Sequence, residues 1–400
     1  MSFKKRNADQ QPKLPPGSRL SAYNGQLLVS TGVPSLDDIL GGGLPVGTVL
    51  LIKEDRATSY ASLLLKYFLA QGIASGHHCA LASKDEDPDT FLRSLMGLAS
   101  DASENDNDDD DQITKNAAAR GSDRMKIAWR YSHLKKFESG VKHKPDPIIP
   151  NKAASSSSSE PKPYCSMFDL TKRINDAALD EANTTLLNLG SLFDDTSDDY
   201  GALLDKIQNL VIDNHFSSAL PAPPNTLRNV LRIGIHSLAS PSWQAKSPQD
   251  LYKFFHALRG LLRFSFGVAV VTIPAYLYDN MKRIEHMVDA VIEIESFAVH
   301  NEAAYTQNYH GFFYVHKLPV LNSLLPSSTK LSVLSAGGNN DLAFKLRRKR
   351  FAIETFHLPP EGGVSERRTE PPTASETKKK QRGPGLGCGS TPGRSDPLEF

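Results

Sequence analysis

Apolar residues fall into two kinds of run along this chain. Continuous stretches without polar alternation occur at Thr48–Ile52, His78–Ser83, Asn229–Leu238 and Gly267–Ile273. Strands of that composition are covered on both faces, as in a parallel sheet. Between them apolar positions recur at helical spacing. Leu63, Leu64, Tyr67 and Phe68 predict a helix over Ser59–Gln71, closed by Gly72. The positions 203, 204, 207, 210 and 211 predict another over Leu203–Ile212, and Gln249–Arg263 reads as an amphipathic third. A short helix, Asp89–Met96, follows Pro88. Strands then come in succession, at 289–296, 310–319 and 351–357. Buried strands alternating with helices and closed by consecutive strands define an α/β fold with a mostly parallel central sheet.

The remaining stretches are polar. Residues 1–19 predict a disordered tail and 20–362 the folded domain. DASENDNDDDD at 101–111 holds seven acids in eleven positions and cannot pack, so it reads as a solvated insertion within about 100–123. A second low-complexity insertion covers 139–163, and 363–400 predicts a mostly disordered tail with KKKQR at 378–382. A length of 400 residues with 39% hydrophobic content suffices for one large core. The formal charge of +1 announces no nucleic-acid partner, so local charge clusters matter more. Three cysteines without CxxC spacing argue against a disulfide framework or zinc site and for a reducing compartment. No run of 18 apolar residues and no apolar leader is present, so neither a membrane span nor secretion is expected.

Strand, polar turn and helix at 48–71 are the setting of a phosphate-binding loop. That loop needs small residues for the phosphates, a lysine for the terminal phosphate and a hydroxyl for magnesium. Laid on GxxxxGK[ST], the turn puts Glu54 and Ser59 at the two glycines, Tyr60 at the lysine and Ala61 at the Ser/Thr. All four positions depart from the signature, and the Glu54 carboxylate repels phosphate. An ordinary strand–helix connection stays open as the plainer reading.

STGVPSLDDILGGGLPVGTVLLI at 30–52 resembles the opening of RecA-like and KaiC-like ATPase domains. Joined to the degenerate loop and to KIAWRY (126–131), YCSMFDL (164–170), IGIHSLASPSW (233–243), YHGFFYVHKLPVLNSL (309–324) and FKLRRKRFAIETFHLPPE (344–361), it is similar to the family of fourth subunits of the Elongator complex. The resemblance runs from about Leu20 to Gly362. It implies a RecA-like domain in a hexameric ring, with two copies each of this chain and of Elongator subunits five and six. It further implies an accessory subassembly that binds tRNA, supports 5-carbamoylmethyl and 5-methoxycarbonylmethyl modification of wobble uridine, and meets the catalytic subcomplex. Cytoplasmic and nuclear localisation goes with it. No cofactor is expected for the chain itself, and ATP only at the level of the ring.

Other candidate chemistry is thinner. The strand that supplies a magnesium aspartate in RecA-like ATPases ends here in His236 and Ser237, with no aspartate. Asp85 and Glu86 stand where the water-activating acid falls in that fold, although acids before a Pro-started helix also suit its dipole. Cys79 reads as a small core residue. Lys345, Arg347, Arg348, Lys349 and Arg350 put five cations into six residues. Read as a strand, 347 and 349 face one side and 348 and 350 the other. With Arg130, and with Lys135, Lys136, Arg259 and Arg263, they are candidates for sequence-independent phosphate contacts. A solvated face or ion pairs across a subunit interface are the open alternatives.

Overall fold

The computed structural model describes residues 14–22, 24–99, 163–189, 198–220, 228–298, 309–321 and 342–356, all within the unit Met1–His357. Three short strands open it, β1 (Ser18–Leu20), β2 (Leu27–Val29) and, after helix α1 (Pro34–Ile39), β3 (Leu44–Pro45), paired in the order β1-β2-β3. The first described residues are therefore part of the fold, although the tail was expected to run to residue 19. Gly17 and Pro16 lie against the end of the first long helix, where the His77 ring bonds the Pro16 carbonyl at 2.6 Å.

The central elements follow in order: β4 (Val49–Lys53), α2 (Tyr60–Ser75), β5 (His78–Ala82), α3 (Pro88–Arg93), β6 (Met96–Leu98), β7 (Phe168–Arg173), α4 (Asp176–Asp180), β8 (Thr184–Leu186) and α5 (Asp199–Asp213). After these come β9 (Leu231–Ile235), α6 (Asp250–Arg263), β10 (Gly267–Ile273), α7 (Lys282–Met287), β11 (Ala290–Ser296), β12 (Gly311–Lys317), β13 (Leu342–Leu346) and β14 (Phe351–Thr355). Nine strands form one sheet in the order β14-β13-β12-β11-β4-β10-β9-β5-β8. From β8 to β11 every neighbour is parallel, and β12, β13 and β14 add an antiparallel end.

Alternation on the buried strands divides the core. Leu50 and Ile52 join a cluster with Leu64, Leu65 and Phe68 of α2, whereas Val49 and Leu51 face Phe255, Leu258 and Leu262 of α6. β6 and β7 pair separately as a two-stranded unit.

Three further sequence expectations change. Gly72 lies inside α2, which continues to Ser75 and is capped by Gly76 at φ 80°. A Cβ on Gly72 would stand 2.4 Å from Cys79 Sγ and 2.6 Å from Arg232 Cδ, so the glycine serves packing and not termination. Met96 starts β6, because the helix after Pro88 ends at Arg93. The basic run is not one strand. Residues 347–350 turn between β13 and β14, with Arg347 N bonded to Arg350 O at 2.9 Å. The first insertion, the second up to residue 162, residues 126–137 and the 363–400 tail lie outside the described residues.

The edge strand β14 meets hydroxyl groups of α1 and α2. Phe351 N donates to Tyr67 Oη at 3.2 Å and Ile353 N to Ser35 Oγ at 3.0 Å.

Candidate functional site

A cleft of about 700 Å³ opens at the carboxyl ends of β4, β10 and β11. In open α/β sheets ligands bind outside those strand ends. Its walls carry six carboxylates, from Glu54, Asp55, Asp279, Glu285, Glu293 and Glu295, against the cations Lys53, Arg56 and Lys282 and the ring of His316. Lys53, the last residue of β4, is bound at 2.7 Å to Glu293 and at 3.2 Å to Glu285. His316 donates to the same Glu293 at 2.5 Å, and that bond with Lys53 holds the Glu293 carboxyl down at about 2.

The loop between β4 and α2 already contains an anion. The Asp55 carboxylate accepts from Ala57 N at 3.3 Å and from Thr58 Oγ1 at 3.0 Å. Donors of a kind that a phosphate loop turns outward are thus spent on a side chain of the loop itself. Ser59 is exposed at the N-cap of α2 and makes no side-chain cap. Tyr60, at the lysine position, packs edge-on against Phe344 with ring centroids 4.9 Å apart, and Ala61 is buried. Tyr60 and Ala61 thus stand, packed inward, where the signature has its lysine and its magnesium hydroxyl.

Glu54 turns inward. Ser237 Oγ donates to its Oε2 at 3.3 Å, while Oε1 is buried without a partner among the described residues. Burial pushes this carboxyl up, the Thr272 and Ser237 hydroxyls oppose the rise, and Asp85 adds to it. Because the folded state then holds the proton more tightly, stability falls as pH climbs from the ordinary 4.5 through the folded value. Glu54→Gln is therefore expected to raise Tm at pH 7 and to flatten that decline. Thermal unfolding across pH checks it, and an unchanged profile would mean that Glu54 is solvated.

The remaining candidates separate. Asp85 accepts from Ser240 Oγ at 2.6 Å. His236 bonds Ser83 Oγ at 3.2 Å and lies against Phe91, and burial lowers its pKa. The chain after β9 is strained at Ser237 (φ 49°) and Ala239 (φ 65°). Burial pushes Cys79 up to about 12, the behaviour of a core thiol. Among the described residues no group of three or more His, Cys, Asp or Glu is placed to hold a metal ion.

The basic cluster is a hairpin tip. Lys345 pairs with Glu354 at 2.9 Å and lies 4.7 Å from the Tyr309 ring centre, and Arg347 reaches Glu354 at 3.6 Å. Arg348 and Arg350 are exposed at the tip. Arg259 and Arg263, on α6, share one carboxylate, that of Asp289, at 3.0 and 2.5 Å. Arg130, Lys135 and Lys136 lie outside the described residues.

Sequence reasoning passed over Arg232, a cation at the second position of the otherwise apolar strand β9. It is wholly buried, stacks on Phe68, and donates from Nε to His77 Nδ1 at 2.9 Å. Nη1 donates to Ser30 O at 2.8 Å and Phe68 O at 3.0 Å. Since His77 Nδ1 accepts, its Nε2 carries the proton given to Pro16. Desolvation lowers the Arg232 pKa to about 10, which leaves it charged at neutral pH. A positive run is easily seen in a sequence. A lone arginine among valines and leucines is the quieter signal.

Sheet order and strand direction define a RecA-like α/β domain, and in the turn after β4 the Asp55 carboxylate takes Ala57 N and Thr58 Oγ1. The chain belongs to the PAXNEB protein family, whose model it matches over residues 11–384. It is 37% identical to Elongator complex protein 4 of Xenopus laevis, over all of this chain and 95% of that protein. It is 36% identical to the human protein of that name, over 96% of this chain and 88% of the relative. The Saccharomyces cerevisiae relative is 24% identical over 86% of this chain and 76% of its own length.

Proposed function

We propose that this chain is a non-catalytic RecA-like subunit of Elongator, which joins subunits five and six in a hexameric ring that binds tRNA during wobble-uridine modification. The relatives' shared name supports membership of the complex. One observation supports the non-catalytic part: the Asp55 carboxylate takes Ala57 N and Thr58 Oγ1 in the turn where a phosphate loop offers its donors. The chain itself then takes no cofactor, and its contribution is a surface. The exposed tip at Arg348 and Arg350, with Arg347 and Lys349, is the RNA-facing candidate. The catalytic subcomplex is the further partner.

Co-expression with subunits five and six, followed by mass measurement, is expected to give the hexamer. In that ring Arg347, Arg348 and Lys349 changed together to alanine should weaken tRNA binding alike for different tRNA sequences, because phosphate contacts carry no base information. The log–log salt slope should flatten by about 0.7–0.9 per lost contact. Ring disassembly would place these cations at a subunit interface, and an unchanged affinity and slope would remove them from the RNA surface. A rival reading makes the ring an ATPase completed by neighbouring chains. Magnesium-dependent micromolar ATP binding by this chain alone would overturn the non-catalytic assignment.

A further inference from the structure

β8 is the last strand at one end of the nine-stranded sheet, and among the described strands it pairs with β5 alone. The ladder between them begins with Cys79 N donating to Asn183 O at 2.8 Å and ends with Leu187 N donating to Leu81 O at 2.8 Å. Successive residues of a parallel strand turn their backbone groups to opposite sides. Thr185 therefore faces β5, and the N–H and C=O groups of Thr184 and Leu186 point away from the sheet. None of these groups has a hydrogen-bond partner among the described residues, and both residues are only half-buried. Such an edge is a template for a further strand.

The opposite end of the sheet is finished differently. Phe351 N and Ile353 N of β14 are taken by Tyr67 Oη and Ser35 Oγ. That contrast restricts what can lie against β8. A second copy cannot offer its β14, whose amides are already spent, and β8 laid on β8 would overlap over 3 residues only. An extended segment of a different chain has neither restriction.

A cavity of about 490 Å³ adjoins the start of this edge. Ala182 and Asn183, which lead into β8, line it together with Ile73 and Ala74 of α2, Met96 of β6 and Phe168 of β7. Leu186 packs against the core cluster that contains α2, so its side chain lies on the cavity's side of the sheet. Side chains of an added strand alternate between the two faces, and every second one would lie on that side.

We propose that β8 is a strand-addition site. An extended segment of a neighbouring chain pairs with the backbone of Thr184 and Leu186 and sets an apolar side chain in the cavity. In this mode main-chain hydrogen bonds supply affinity and the pocket supplies specificity. The inference rests on the proposed ring, whose other subunits provide the neighbouring chain.

The test compares the chain alone with the chain co-purified with subunits five and six, by mass and by hydrogen exchange over residues 183–187. The Thr185 and Leu187 amides should be protected in both samples. The Thr184 and Leu186 amides should exchange freely in the chain alone and at least about ten-fold more slowly in the complex. Thr184→Pro removes an outward N–H and keeps the ladder to β5, since proline is tolerated on an edge strand whose N–H faces solvent. It should leave Tm nearly unchanged and weaken assembly about ten-fold. Thr185→Pro, which removes an inward N–H, should instead lower Tm. Ala178→Trp, from an exposed position on α4 that lines the cavity, should also weaken assembly. A hexamer whose Thr184 and Leu186 amides still exchange freely would overturn the strand addition and leave the ring standing. So would a hexamer that forms equally well with Thr184→Pro and Ala178→Trp. Absence of a hexamer would remove both readings. Protection already present in the chain alone would overturn this one, the occupant then being a second copy at dimer mass or the chain itself at monomer mass.

Discussion

Replacing Arg232 with methionine is expected to destabilise the chain by about 3–5 kcal/mol, the range for removing one partner of a buried charge network. The methionine matches the stem but strands everything the guanidinium holds. His77 Nδ1, Ser30 O and Phe68 O lose their donor, and Asp37, whose carboxyl burial pushes up, loses a nearby positive charge that opposes the rise. Asp37 already depends on Ser30 and Thr31 for its hydrogen bonds, with Thr31 N at 2.7 Å. Arg232→Lys should fail nearly as badly, because one ammonium cannot meet three acceptors in different directions. Pairing Arg232→Met with Asp37→Asn should recover part of the loss, as coupled sites do. Chemical unfolding of the full chain measures both. A loss below about 1 kcal/mol would show that the cavity hydrates or collapses around the shorter side chain.

Gly43→Ala is expected to cost about 2–5 kcal/mol, from a strained backbone and overpacking together. Gly43 has φ 131°, where side chains are disfavoured, and an added Cβ would stand 2.6 Å from the Val29 carbonyl and 2.2 Å from Tyr164 Oη. The tyrosine tip can retreat, but the carbonyl belongs to β2, whose Val29 pairs with Leu44. The control is Gly260→Ala. That glycine lies within α6 with nothing within 4 Å of its missing Cβ, so alanine should stabilise by about 0.5–1 kcal/mol. Opposite signs for the same chemical change separate this account from any general intolerance of glycine replacement. The glycine run that resembles a nucleotide-binding opening is thus tied to packing: Gly42 O also receives Tyr164 Oη at 2.7 Å and Arg19 Nη2 at 2.6 Å.

Local chemistry made β4 and β10 legible, because a strand covered on both faces is apolar at every position. It failed where tertiary contacts decide. Gly72 looks like a helix stop until Cys79 and Arg232 are seen against it. The tip at 347–350 carries no Gly, Pro or Asn, so nothing in its composition marks a turn, and alternation was read straight through it. The defects of the phosphate loop were visible as Glu54, Tyr60 and Ala61. The hydrogen bonds of Asp55 were not, since they depend on a carboxylate reaching the groups two and three residues on. That Arg259 and Arg263 share Asp289 was equally hidden, because the carboxylate is distant from them in sequence.

The hydroxyls that meet β14 bear on how this protein fails as well as how it works. A strand whose outward amides are free is a template, and a foreign strand can extend the sheet without limit. Here two of those amides are spent on Tyr67 and Ser35, so a growing fibril would first have to strip them away. Tyr67→Phe and Ser35→Ala together should leave the fold recognisable yet hasten aggregation during refolding. The safeguard against runaway polymerisation is then two oxygen atoms.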